Sequence, residues 1–229
     1  DLAFYTNKKS KTDAAVSLDM LQKVLPKLEA LNDWSTDGIH DMLIAFAEEL
    51  GVKNATLMWP LRIACAGKLI TPGGAVEICK ILGKDETISR VKRDMAAAIF
   101  ANNLTAAFSA ILWGLVPFAY LAAFPLGFNF FLIGALGVYY VRSGAGLGSY
   151  LVGILPHGIF ELPALVLFCA AGLYLCSRVT ARVRGDKEVR ILRTLSEVST
   201  LFLYVILPLL AAAALIETYV TPRLLAMVL

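Results

Sequence analysis

Ala96–Val141 reads AAAIFANNLTAAFSAILWGLVPFAYLAAFPLGFNFFLIGALGVYYV and contains no Asp, Glu, Lys, Arg or His. A helix crosses the hydrocarbon core with about 20 predominantly apolar residues, so this stretch predicts two crossings. Pro117, Pro125 and Gly127 mark the turn between them, and Arg142 closes the run. Working outward, Ser143–Ser177 is interrupted only by His157 and Glu161, and Pro156 and Pro163 are expected to break its helix. We read residues 144–155 as a short non-crossing helix and His157–Cys176 as the third crossing. Val198–Ile216, between Glu197 and Glu217, is the fourth, with a kink expected at Pro208. The tail from Pro222 is apolar but too short to span.

Composition agrees with an integral membrane protein: 58% of the residues are hydrophobic, and mean hydropathy is +0.70. The average conceals a division, because residues 1–95 are densely charged with acids and bases in balance. The net charge of +3 arises in the apolar part. Neither part is basic enough to predict non-specific binding to a nucleic-acid backbone. Cys65, Cys79, Cys169 and Cys176 show no metal-ligand spacing and are expected to be reduced, packed thiols. Residues 1–15 are polar and charged, unlike a secretory signal peptide.

The front part reads as an ordinary helical domain. Leu18, Leu21, Leu25 and Leu28 recur at helical spacing, as do Ile39, Leu43, Phe46 and Leu50 behind a Ser35/Thr36 cap and before Gly51. Residues 54–66 and 74–82 predict two further helices, separated by Thr71-Pro72-Gly73-Gly74 and ended by Gly83.

WPLRIACAGKLITPGG (Trp59–Gly74), ILGKDETISRV (Ile81–Val91) and the upstream DWSTDGIHDMLIAFAEELGVKN (Asp33–Asn54) resemble the C-terminal anticodon-binding subdomain of bacterial glutamyl-tRNA synthetases. The likeness covers nearly all of residues 1–93. It implies an all-helical domain that reads anticodon bases, with Thr71, Pro72, Gly73 and Arg62 in the contact region. A second reading of Arg62 is an arginine that holds a turn. No HIGH-like or KMSKS-like motif occurs in the chain, so aminoacylation is excluded.

LPHGIFELPAL (Leu155–Leu165), SGAGLGS (Ser143–Ser149) and FANNLTAAFSAILWG (Phe100–Gly114) resemble the stage II sporulation protein M family of membrane proteins. This likeness runs from about residue 98 to the end. Members usually begin with one further transmembrane helix and an external loop, which this sequence is expected to lack. The resemblance implies a non-enzymatic scaffold that anchors peptidoglycan-degrading engulfment proteins, stage II sporulation proteins D and P, at the septal membrane. Arg178, Arg182, Arg184, Lys187, Arg190 and Arg193 outnumber the acids of residues 178–197, so the positive-inside rule places that loop in the cytoplasm. Counting crossings backward then puts Ala96 outside. A missing first helix would resolve the conflict with an RNA-binding type of domain.

The chain therefore reads as a chimera, all-α, in which a small soluble helical domain (1–95) is fused to a polytopic helical membrane bundle (96–229). No Gly or Pro occurs between Asp85 and Trp113, so one continuous helix can join the two. We read the junction as an engineered one.

His157 and Glu161 are the sharpest candidates for chemistry, because an i, i+4 pair shares one helix face at a depth where ionisable groups are costly. One reading is a divalent metal, although two ligands are incomplete for zinc. The other is structural, through hydrogen bonds to each other, to backbone freed by Pro156 and Pro163, or to Asn102 and Asn103. Arg142 and Glu217 are expected at membrane surfaces. Gly144, Gly146 and Gly148 serve a turn or close packing. Phe128, Phe130, Phe131, Tyr139, Tyr140 and Tyr150 form a lipid-facing belt or a homodimer contact. Two other functions compete with the scaffold: a transporter or channel using the His157/Glu161 site, and a membrane-tethered tRNA-binding module. No Ser-His-Asp or Cys-His arrangement is available for hydrolysis, and no cofactor is expected apart from such a metal.

Overall fold

The computed structural model describes residues 2–144 and 146–227; Asp1, Ala145, Val228 and Leu229 lie outside them. The chain divides into two compact units, Asp1–Ile99 and Phe100–Leu229. Helix α5, Lys84–Trp113, runs unbroken through the boundary, as the absence of Gly and Pro predicted.

In the first unit, α1 (Ala14–Ala30) starts at Asp13, whose carboxylate accepts from the Val16 amide and satisfies one open N–H of the first turn. Ser35 does the same for α2 (Thr36–Glu49), accepting from Gly38. Helix α3 (Asn54–Ala66) ends at Gly67 and α4 (Ala75–Leu82) at Gly83, both at positive φ, where a side chain would strain the backbone. Leu21, Leu28, Ile39, Leu43, Leu57 and Leu61 meet in a core sealed from solvent. Each such side chain contributes about 1.5–3 kcal/mol over leaving it exposed. The Lys84 ammonium donates to the Glu29 and Leu31 carbonyls at 2.6 and 2.7 Å, placing a cation on the open C-terminus of α1. Lys92 adds an ion pair to Glu29 at 2.6 Å.

Among the described residues, four helices, the first of them beginning in the first unit, are long and apolar enough to cross a membrane: Lys84–Trp113, Leu121–Arg142, Gly146–Val183 and Ile191–Tyr219. They supply the four expected crossings. Within them α6 is Phe124–Arg142, α7 is Gly146–Val183, α8 is Ile191–Leu201 and α9 is Leu207–Tyr219; α10 (Thr221–Leu225) follows.

Three expectations need correction. First, Pro156 and Pro163 do not break α7, and no separate helix covers 144–155: α7 is one helix of 38 residues. At about 1.5 Å per residue it is roughly 57 Å long, well beyond a hydrocarbon core of about 30 Å. Neighbouring helices and local adjustment let membrane helices keep an internal proline. Second, the basic segment is mostly helical, because α7 continues to Val183 and α8 begins at Ile191. Third, the disturbance expected at Pro208 is a π segment over Phe202–Ile206, just ahead of the proline. Widening that turn moves backbone away from the proline ring.

Gly144 and Gly146, both at φ +82°, turn the chain from α6 into α7, so the glycine-rich string is a turn. The second core is built on Ala107, Ala110, Leu165, Phe168, Ile206 and Leu210. Gly114 and Gly172 let backbones approach across it; a Cβ on Gly114 would collide with the Gly172 carbonyl. Helix α6, by contrast, buries none of its residues.

Candidate functional site

His157 and Glu161 project from α7 one turn apart, and α9 brings Glu217 against them. One ligand atom from each of the three lies within 4.8 Å of the other two, and all three side chains are half-buried. Glu217, expected at a membrane surface, thus packs beside Glu161. Glu217 continues the face of α9 that buries Leu210, Ala213, Ala214 and Thr218, so helical periodicity carries it inward.

Hydrogen bonding around the triad is sparse. His157 Nδ1 is 3.4 Å from Thr221 Oγ1, and Thr221 donates to the Ile216 carbonyl at 3.3 Å. Among the described residues Glu161 and Glu217 have neither a hydrogen-bond partner nor an ion-pair partner. His157 and Glu161 thus do not bond to each other, as one reading had supposed.

Two cavities meet at Glu161. The first, about 210 Å³, is lined by His157, Glu161 and Asn129 amid leucines and isoleucines of α6 and α7. The second, about 150 Å³, is lined by Asn102, Asn103, Asn129, Glu161, Phe168 and Leu210. Asn102 and Asn103 therefore share a cavity with Glu161 but not with His157. Asn129 lines both cavities and was missed in the sequence, where it sits alone in an apolar run. Its Nδ2 donates to the Pro125 carbonyl at 2.9 Å, leaving its side-chain oxygen free of that bond.

The aromatic residues divide. Phe128, Phe130, Phe131 and Tyr139 are exposed on α6, whereas Tyr150 donates from its hydroxyl to the Ile133 carbonyl at 2.6 Å and packs on Tyr140. Tyr150 thus ties α6 to α7.

In the first unit Arg62, Thr71 and Gly73 do come together. The Arg62 guanidinium lies 4.4 Å from the Trp59 ring centroid and donates to Thr71 Oγ1 at 3.2 Å and to the Leu69 carbonyl at 3.0 Å. Thr71 donates in turn to the Gly73 carbonyl at 2.7 Å, so Arg62 holds the turn that contains Pro72. Cys65 and Cys79 are buried in the same unit, sulfur to sulfur at 3.9 Å. That contact and burial push the Cys65 thiol well above the ordinary thiol range.

Comparison with known proteins gives two family matches, which overlap within the first unit. Residues 1–95 match the anticodon binding domain family, and residues 65–222 match the stage II sporulation protein M family. The second match starts earlier than the expected residue 98. In the overlap, Cys65, Cys79, Val91 and Met95 belong to the core of the first unit. The chain is 49% identical over 92 residues to a glutamate–tRNA ligase of Clostridium acetobutylicum, covering 40% of this chain and 19% of that protein. It is 51% identical over 88 residues to the one of Clostridium tetani, covering 38% and 18%. For that of Clostridium novyi the figures are 46% over 92 residues, covering 40% and 19%. The chain thus spans about a fifth of the length of these curated relatives. No solved structure matches.

Proposed function

Because the chain belongs to the stage II sporulation protein M family, matched over residues 65–222, we propose that its membrane unit is a non-enzymatic scaffold of sporulation. It anchors peptidoglycan-degrading engulfment proteins, stage II sporulation proteins D and P, at the septal membrane. The observation that carries this reading is the family match falling on a four-helix, multi-pass membrane unit. Neither matched family is a catalytic domain, which favours a positional role over chemistry. The basic segment 178–197 lies on the cytoplasmic side in this reading, which puts the Gly144–Gly146 turn on the outer face, toward such partners. The exposed face of α6 is available for lipid or for a second copy in a homodimer.

The first unit is, in the same reading, a non-catalytic synthetase fragment serving as an engineered fusion partner, with any tRNA binding a residual property. Co-purification from detergent tests the scaffold: the full chain should capture proteins D or P, and failure to capture either would overturn the assignment. A transporter reading draws on the two cavities that meet at Glu161. Ion or solute flux into liposomes that disappears in Glu161→Gln would put it in the scaffold's place.

A further inference from the structure

We propose that His157, Glu161 and Glu217 hold one divalent transition-metal ion, zinc by donor type, bridging α7 and α9. The proposal is independent of the scaffold reading, which needs no metal. Three observations converge on it. The three side chains offer one nitrogen and two carboxylate oxygens, all within 4.8 Å of one another. Tetrahedral ligands about 2.0–2.2 Å from a zinc ion stand about 3.3–3.6 Å apart, so side-chain adjustments of about an ångström bring the three onto one ion.

Charge provides the second observation. Two carboxylates approach each other on helices long and apolar enough to cross a membrane, and among the described residues no Lys or Arg lines either cavity beside Glu161. Neither carboxylate has a hydrogen-bond or ion-pair partner among the described residues. Ionisable groups at such depth pair with something, and a dication neutralises both acids at once.

The third is the orientation of the imidazole. With its hydrogen on the Ile216 carbonyl, 3.3 Å away, the Thr221 hydroxyl faces His157 Nδ1 at 3.4 Å as an acceptor. In that arrangement Nδ1 carries the imidazole proton and the Nε2 lone pair is left for a metal, as where a neighbouring acceptor orients a ligating histidine. Three protein ligands leave a fourth position open for water, and the cavity of about 210 Å³ lined by His157, Glu161 and Asn129 adjoins it. Imidazole with carboxylates suits zinc better than calcium or magnesium, which take oxygen donors almost alone.

The test uses the full chain in detergent, stripped with chelator, loaded with zinc and freed of excess by gel filtration. About one zinc per chain is expected by elemental analysis. Glu217→Gln and His157→Ala should each fall to background while eluting as the parent does, with helical circular dichroism intact. Stoichiometric zinc in those variants, or none in the parent, would overturn the proposal. Cobalt loading gives a second reading that does not depend on the variants. A visible spectrum without a thiolate charge-transfer band is expected, whereas a strong thiolate band would assign the metal to cysteine and sink the site.

Discussion

Gly172 of α7 faces the carbonyl of Ala110 so closely that a Cβ added to it would stand 2.5 Å from that oxygen and 2.6 Å from the Ala122 Cβ. Hydrogen is the only substituent this contact accepts. Alanine in place of glycine ordinarily favours a helix by about 1 kcal/mol, but here the neighbour is backbone and cannot rotate away. Overpacking typically costs about 1–3 kcal/mol. Gly172→Ala should therefore lower the detergent melting temperature of the membrane unit, and Gly172→Leu should lower it further. A melting temperature unchanged in both would show that the approach is looser than described.

Tyr5 is buried and donates from its hydroxyl to the Asp94 carboxylate at 2.7 Å, joining the start of the chain to α5 within the first unit. Hydrogen bonds to charged groups contribute about 1.5–3 kcal/mol, and Tyr5→Phe should destabilise the first unit by the lower part of that range. Burial, then the Asp94 carboxylate, pushes the Tyr5 hydroxyl well above its ordinary value of 10.0. The folded state therefore keeps its proton while the unfolded chain loses it, so this contribution is fully present below about pH 10 and declines above it. Urea unfolding followed by Trp34 and Trp59 fluorescence, with Trp113→Phe in the background, should show a steeper alkaline decline for the parent than for Tyr5→Phe. Parallel declines would remove Tyr5 from the account.

The fold of the first unit and the number of long apolar helices were legible because both depend on spacing along one chain. Leu21, Leu25 and Leu28 mark a helix face whatever packs on it, and Ala96–Val141 exceeds any single span. The candidate site was only half legible, for a reason of the same kind. His157 and Glu161 announce themselves by interrupting an apolar segment, whereas Glu217 ends one and so reads as a boundary. Its face was nevertheless written nearby: Leu210, Ala213, Ala214, Glu217, Thr218 and Thr221 follow the helical spacing of small and packed residues. The persistence of α7 through Pro156 and Pro163 could not be read in the same way, since it depends on what neighbouring helices and lipid allow.

Arg62 spends its guanidinium within its own unit, on the Trp59 ring and on two acceptors of the 69–73 turn. Arg62→Ala should loosen this turn, raising hydrogen exchange across 69–74 and costing about 1 kcal/mol. Arg62→Lys should recover little, because an ammonium can neither stack flat on indole nor reach both acceptors as a planar fork. Full protection in the lysine variant would reduce the contact to simple charge.

Tyr150 is the pin of α6. That helix buries none of its residues, yet Gly137 packs closely on the Tyr150 ring, where a Cβ would stand a tight 3.1 Å from it. The Tyr150 hydroxyl meanwhile reaches the Ile133 carbonyl at 2.6 Å. Side-chain hydrogen bonds between membrane helices are worth about 0.6–1.7 kcal/mol, so Tyr150→Phe should weaken α6 docking by that much while keeping the ring on Gly137. Tyr150→Ala loses both contacts and should free the helix further. Hydrogen exchange of the 133–142 amides in nanodiscs ranks the three proteins: parent slowest, phenylalanine intermediate, alanine fastest. Equal exchange in all three would show that lipid packing, not Tyr150, holds α6 in place.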